Sequence, residues 1–270
     1  MIVHVMLRQH EVYPREATIA GVLASGDKLM SNTVSDALDE NCAVVTWNKY
    51  GFSDRFATQC KAVGGKHIVM ENGYLRRNEK YYLMNLDGFN GNETVNWNFS
   101  PDRWDKLNIE LKPWKTTGKY ILVCAQRGKY NYSPMAMPAT WPDTVLEKIR
   151  QQTDRKIIYK PHPERVLMPV NLPVNCEVVH HKEPLDDLLE NAFATVVWTS
   201  NAATESLLAG VPVFYCGPTI ACKDLAKHGV GDIEYPYYAT NRDKIFHNLA
   251  WRQWHVSEIQ SGEAWRYVTQ

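Results

Sequence analysis

The sequence predicts an α/β protein made of two Rossmann-like domains facing a cleft. Three observations carry that prediction. Short apolar, β-branched runs recur along the 270 residues, helical patterns separate most of them, and the alternation breaks once, near residues 89 to 118, before it starts afresh.

The elements follow in order. IVHVML, from Ile2, reads as a first strand, and PREATIAGVLASG after it keeps its apolar residues on one side, as a helix does. AVVTW, from Ala43, and KHIVM, from Lys66, are strands flanking the helical SDRFATQCKAV. The stretch from 89 to 118 gathers Asn, Trp, Pro and Gly and reads as a connection between halves. KYILVCA, from Lys119, then opens a second series: helix WPDTVLEKIRQQT, strands KIIYK and CEVVH, helix EPLDDLLENA, strand ATVVW, helix NAATESLLAG and strand VPVFYC. Gly210 stops the helix before this last strand and Pro212 follows the stop. NRDKIFHNLAWRQWHV reads as one long helix. Trp251, Trp254 and Trp265 come at helix-like spacings, as packing anchors or as an aromatic platform for an acceptor. The expected domains are residues 1–113, meeting an acceptor, and 114–270, holding a donor, with the last helix crossing back.

Composition narrows the class. With 44% hydrophobic and 22% charged residues the chain is an ordinary globular protein, long enough for a sizeable core. Thirty Lys plus Arg balance thirty Asp plus Glu, which removes the global basic field of a non-specific nucleic-acid coat. Six cysteines without a CxxC pair suit reduced thiols and a cytoplasmic setting, and no apolar run reaches the roughly 20 residues of a membrane span. P-loop, GxGxxG, HExxH, GxSxG and DxD patterns are missing, so no resident cofactor and no metal site are expected.

Several polar stretches follow apolar runs, where open α/β sheets bind ligands. Thr199-Ser200-Asn201 ends ATVVW, with Ser200 or Asn201 placed to cap the next helix and its N–H groups able to attract a phosphate. Glu205, one turn in, either reads a ribose hydroxyl or only complements the helix dipole. KPHPER after KIIY offers Lys160, His162 and Arg165 on a Pro-stiffened loop, as a diphosphate clamp or as solvated charges. Gln126 and Arg127 follow the first strand of the second half and are candidates for donor phosphates. Lys129 and Tyr130, with Tyr132, Trp114, Lys115 and Lys119, mix cations with aromatic faces as sites for sugars or stacked bases do. In the first half Glu71 ends an apolar run and is either a general base or the ion partner of Arg76 or Arg77; Arg76 is also an acceptor contact. Asp87, which suits an Asp-Gly turn, with Glu16 and His10, are further base candidates.

ENGYLR at 71–76, DG at 87–88, KPHPE at 160–164 and TSNAATESLLAGVPVFYCG at 199–217 together resemble the capsule-polysaccharide and Kdo-type glycosyltransferases of the GT-B class, and also small phage proteins thought to be glycosyltransferases. The resemblance implies a nucleotide-sugar co-substrate, a UDP-sugar by preference, with Lys160 and His162 at its phosphate, Thr199, Ser200 and Asn201 bordering it, Glu205 on the ribose and Glu71 in catalysis, without a metal. The chain departs from the family in its LDGFNG continuation. Compact size and abundant Trp, Tyr and Asn favour a phage enzyme; the resemblance, with the local charge of the stretch from Trp114 to Tyr132, then implies a hydroxymethylated pyrimidine in DNA as its acceptor, flipped out of the helix. A surface-polysaccharide transferase, a sugar-nucleotide epimerase and a non-catalytic binder are the rivals.

Overall fold

The computed structural model describes residues 1–7, 12–30, 38–48, 52–127, 135–164 and 166–270. Candidates His10, Lys129, Tyr130, Tyr132 and Arg165 lie outside the described residues. In chain order the elements are β1 (Ile2–Val5), α1 (Val12–Ala24), β2 (Lys28–Leu29), β3 (Cys42–Trp47), α2 (Phe52–Ala62), β4 (Lys66–Asn72), β5 (Tyr81–Leu86) and α3 (Asp102–Leu107). Then come β6 (Tyr120–Cys124), α4 (Trp141–Arg150), β7 (Lys156–Lys160), β8 (Cys176–Val178), α5 (Leu185–Leu189), β9 (Ala192–Val197), α6 (Ala202–Leu208), β10 (Val213–Tyr215) and β11 (Lys227–His228). α7 (Arg242–Ala250), β12 (Gln253–His255), α8 (Val256–Gln260) and α9 (Glu263–Thr269) close the chain.

The chain divides into two compact units, one of Met1–Leu107 with Phe246–Gln270, the other of Asn108–Ile245. The division falls at Leu107 rather than at residue 113, and the expected crossing back takes in everything from Phe246 onward. The physical reason is β12. Gln253 pairs with Leu83 and His255 with Tyr81, so the segment extends the first sheet as an antiparallel edge. It also corrects the single long helix over 241–256. α7 stops at Ala250 because Gln253 turns inward, its Oε1 accepting from Leu75 N at 2.8 Å and its Nε2 donating to Leu75 O at 3.0 Å. Trp254 and Trp265 are 1% exposed and lie in the core of this unit with Val45, Ile68 and Met70, so packing is what they do. Truncating either to Ala costs roughly 3–5 kcal/mol.

The first sheet runs β12-β5-β4-β3-β1-β2. β2, β1, β3 and β4 are parallel to one another, while β5 is antiparallel to β4 and β12 to β5. β3 is buried over five consecutive residues, the continuous apolar run that a strand covered on both faces requires. The connection 89–118 holds the unexpected α3: Ser100 Oγ accepts from Asp102 N at 3.3 Å, and Asp102 and Asp105 meet the positive helix start.

The second sheet, β11-β10-β9-β6-β7-β8, is parallel throughout. Its core joins Ile121, Val123, Ile157, Val196 and Phe214 to Leu146 and Ile149 of α4. Gly210 ends α6 at φ 77°, and a Cβ there would strike the carbonyl of Pro113. Only glycine meets both conditions.

Candidate functional site

In a parallel sheet every strand delivers its carboxyl end to one edge. In the second unit β6 is the switch point: the chain goes on to β7 and β8 on one side, then to β9, β10 and β11 on the other. Cys124 is in register with Lys160 and with Val197, so the loops after β6, β7 and β9 start side by side. The structure therefore brings together Gln126, Arg127, Lys160, His162, Thr199, Ser200, Asn201 and Glu205.

The bonds among them give each a distinct part. Gln126 Oε1 accepts from Thr199 N at 3.0 Å and from Thr199 Oγ1 at 2.6 Å, bracing the β6 and β9 loops across the switch point. Arg127 pairs with Glu164 at 3.0 Å, but the two side chains are about half exposed, 47% and 63%, so the link is weak. Lys160 is nearly buried at 9% exposure, and its Nζ donates to the carbonyl of His181 at 3.1 Å. His162 Nδ1 accepts from Glu164 N at 3.2 Å, which in the neutral ring leaves Nε2 as the protonated nitrogen.

Ser200, not Asn201, makes the turn into α6, its Oγ accepting from Ala202 N at 3.2 Å. Asn201 has helical φ and ψ and makes no side-chain cap; its Nδ2 donates to Glu205 Oε1 at 3.3 Å. Burial pushes the Cys124 thiol up to about 12, with the Lys160 charge pulling down and the Glu205 charge pushing up. Lys160 lies in register beside Cys124 at the end of the central strand. Glu205 also lines a hollow of about 290 Å³ with Lys112, Lys115, Glu190 and Leu208. Gly217 closes the edge from β10: a Cβ there would strike Thr199 Cγ2 and Trp198 O.

His180 and His181 belong to the same edge, at the end of β8, and are not among the residues that the sequence singles out. Their rings lie 4.3 Å apart. Desolvation first, then the charges of His180, Lys182 and Lys160, lowers the His181 pKa. The signal was available, since CEVV ends in polar residues as the other strands do. Among the described residues no three His, Cys, Asp or Glu side chains are grouped to hold a metal ion, and no helix is long and apolar enough to cross a membrane. All six cysteines are free thiols.

Of the aromatic and basic candidates, Trp114, Lys115 and Lys119 are described, and all three precede β6. Trp114 and Lys115 are engaged within the unit. Trp114 Nε1 donates to Ala239 O at 3.1 Å and its ring is covered by Arg242 at 4.0 Å. Lys115 Nζ donates to Leu189 O at 2.7 Å and Glu190 O at 3.0 Å, at the end of α5.

In the first unit Glu71 lies at the carboxyl end of β4, half-buried, its Oε1 accepting from Asn72 N at 2.9 Å. Asp87 is not beside it. Because β5 is antiparallel, Leu86 pairs with Ile68, and Asp87 N donates to His67 O at the opposite edge. There its carboxylate takes Lys61 at 3.1 Å and Thr94 Oγ1 at 3.0 Å. Glu16 is exposed on α1. Arg76, expected at an acceptor, binds Glu79 at 2.9 Å and donates from Nε and Nη2 to Leu107 O at 3.1 and 2.8 Å, holding the end of α3.

No family model matches the sequence, and no curated protein does. Among solved structures, the Thermosulfurimonas dismutans KpsC beta Kdo 2,4 transferase is 14% identical with a TM-score of 0.61, over 92% of this chain and 90% of that one. The KpsC beta Kdo 2,7 transferase of the same organism is 15% identical with a TM-score of 0.59, over 92% and 89%. Two mainly parallel α/β units, matched over nine-tenths of both chains, give this protein the GT-B fold of those transferases.

Proposed function

We propose that the protein is a glycosyltransferase that moves a sugar from a nucleotide-sugar donor to a saccharide hydroxyl. The observation that carries the reading is the convergence of Lys160, His162, Thr199–Asn201 and Glu205 on the switch-point edge of the second sheet, in a chain with the fold of two Kdo transferases. Lys160 and the Nε2–H of His162 take the charge of the departing phosphate, the preorganised donors that such a reaction uses where negative charge develops. Glu205 accepts from the donor's ribose hydroxyls, its Oε1 already oriented by Asn201. Gln126 contributes by holding Thr199 in place rather than by touching the donor. Glu71, carried by its place at the end of β4 and by the resemblance of ENGYLR, is the general base for the acceptor hydroxyl.

This reading needs no metal, because cations and N–H groups of the chain carry the leaving-group charge; activity that withstands EDTA supports that point. A saccharide acceptor is favoured over DNA, since Trp114 and Lys115, two of the described aromatic and cationic candidates, are bonded within the unit. The test is titration of the full chain with UDP-, GDP- and CMP-sugars. One class should bind in the micromolar range, and Glu205→Ala should weaken it about 10- to 100-fold, the effect of losing a charge-assisted bond. Absence of binding by all three classes overturns the proposal, and so does transfer that is indifferent to Glu205.

A further inference from the structure

Trp97 and Phe99 stand out from the segment that leaves β5. Both are large, aromatic and exposed, 51% and 46%, and their rings stack at 5.6 Å with an interplanar angle of 26°. Solvent-exposed aromatics that are merely tolerated have no reason to be held rigidly. These are. Beneath Trp97, 5.4 Å from its ring, sits the guanidinium of Arg252, 6% exposed. Arg252 binds the buried Glu93 at 2.9 Å and donates from Nε to Asn248 Oδ1 at 2.8 Å. Asn248, fully buried, donates in turn to the carbonyls of Asn96 and Asn98 at 3.4 and 3.3 Å, fixing the backbone on either side of Trp97. A buried ion pair contributes little net stability against an apolar replacement, so its effect here is positional.

The surroundings say what such a platform suits. Between Gly88 and Pro101 the one ionisable side chain is Glu93, turned inward to Arg252, and Asn96 is exposed. This segment itself offers nucleic acid aromatic rings but no cation for its phosphates. A pyranose ring finds what it needs: electron-rich faces for its C–H groups and a neutral amide for its hydroxyls. We propose that Trp97 and Phe99 form a carbohydrate-binding platform for a neutral stretch of saccharide chain. It shares no residue with the proposed donor site, whose members lie in the other unit.

The experiment places the full chain on a microarray of defined oligosaccharides with poly(dT) printed alongside. The wild type should be retained on a subset of the glycans and not on poly(dT). Trp97→Ala and Phe99→Ala should each lower that retention at least about tenfold, as loss of one stacking contact does, while Trp97→Phe keeps most of it. Melting temperature and donor titration should be unchanged in all three, so the platform and the donor site fail or stand separately. Retention on poly(dT), no glycan retained, or an alanine variant retained like the wild type overturns the proposal. So does a wild-type dimer by light scattering that Trp97→Ala dissolves, since the rings then serve a subunit contact.

Discussion

The two sheets differ in one respect that governs where chemistry can collect. The second is parallel from β11 to β8, so six strand ends open on one edge. The first turns back at β5 and again at β12. Its polar strand ends are thereby shared between opposite edges, Glu71 on one and Asp87 on the other. Two carboxylates only 16 residues apart in the chain cannot serve the same reacting atoms, whereas Gln126 and Thr199, 73 apart, are in direct contact. If edge, not sequence proximity, decides function, then substitutions sort by edge.

The largest effect is expected at Glu71. Glu71→Gln keeps the shape and the bond from Asn72 but removes the base, and should lower kcat by about 10²- to 10⁴-fold with donor affinity unchanged. Single-turnover kinetics with saturating donor checks this. A variant within threefold of wild type would remove Glu71 from the chemistry and leave the first sheet without its proposed part in the reaction.

Next comes the way each sheet holds its margin. The β12 margin of the first is held by Arg103, which donates to Glu258 Oε1 and Oε2 at 2.9 and 2.8 Å and to Gln253 O at 2.9 Å. At the β8 margin of the second sheet, Lys156 and Glu177 pair in water, 45% and 54% exposed. Burial alone would raise the Glu258 pKa, but the bonds and charge of Arg103, with the His255 N–H, bring it below the usual carboxylate value. A folded pKa under the unfolded one means stabilisation that is complete above the unfolded value, near 4.3, and lost as pH falls through the folded one. Glu258→Gln should therefore cost about 2–4 kcal/mol at neutral pH, with the gap to wild type closing in acid. Glu177→Gln should cost under about 0.5 kcal/mol at any pH. Urea denaturation across the acid range measures both.

Gln126→Ala is smaller and probes the second edge itself. It strips the Thr199 N–H of this acceptor and leaves the hydroxyl the longer bond to Met135 O at 3.3 Å, at a residue 6% exposed. About 1–3 kcal/mol of stability should go, and the donor KM should rise roughly tenfold with kcat less affected, since the loop is displaced and no reacting group is lost. A change confined to kcat would instead put Gln126 at the reacting atoms.

How much of this was legible in the sequence follows from the same contrast. The strands β3, β4, β6, β7 and β9 were legible because both their faces are buried, which leaves an unbroken apolar run. The candidate donor residues could be placed on one edge because, in a parallel sheet, a polar residue after such a run reaches the same edge. That rule carries no information about strand direction, so it could not place Asp87. The strand β5, Tyr81–Leu86, is not among the elements that the sequence predicts. β12 was hidden because Trp251 and Trp254 fit a helix as well as they fit a turn and a strand; what decides is Gln253, whose amide is satisfied only by Leu75, 178 residues earlier. Long-range partners of that kind leave no local trace. Gln126 was named as a donor contact, but its role as a brace depends on Thr199 and is equally non-local.

Asp87→Asn is the smallest expected effect and the sharpest comparison. Asp87 follows β5 as Glu71 ends β4, and by residue type either suits a base. Its backbone is left-handed, φ 67°, a conformation that Asn tolerates at least as well as Asp. The change keeps the carbonyl oxygen that accepts from Thr94, and it removes only the charge opposite Lys61, whose side chain is 50% exposed. Stability should shift by less than about 0.5 kcal/mol, as for other water-screened pairs. Activity should stay within twofold, because the carboxylate sits across the sheet from Glu71. If Asp87→Asn instead lowered kcat as far as Glu71→Gln, the reacting centre would have to include the amino edge of the first sheet, and the assignment of function by strand direction would fail for that unit while remaining intact for the second.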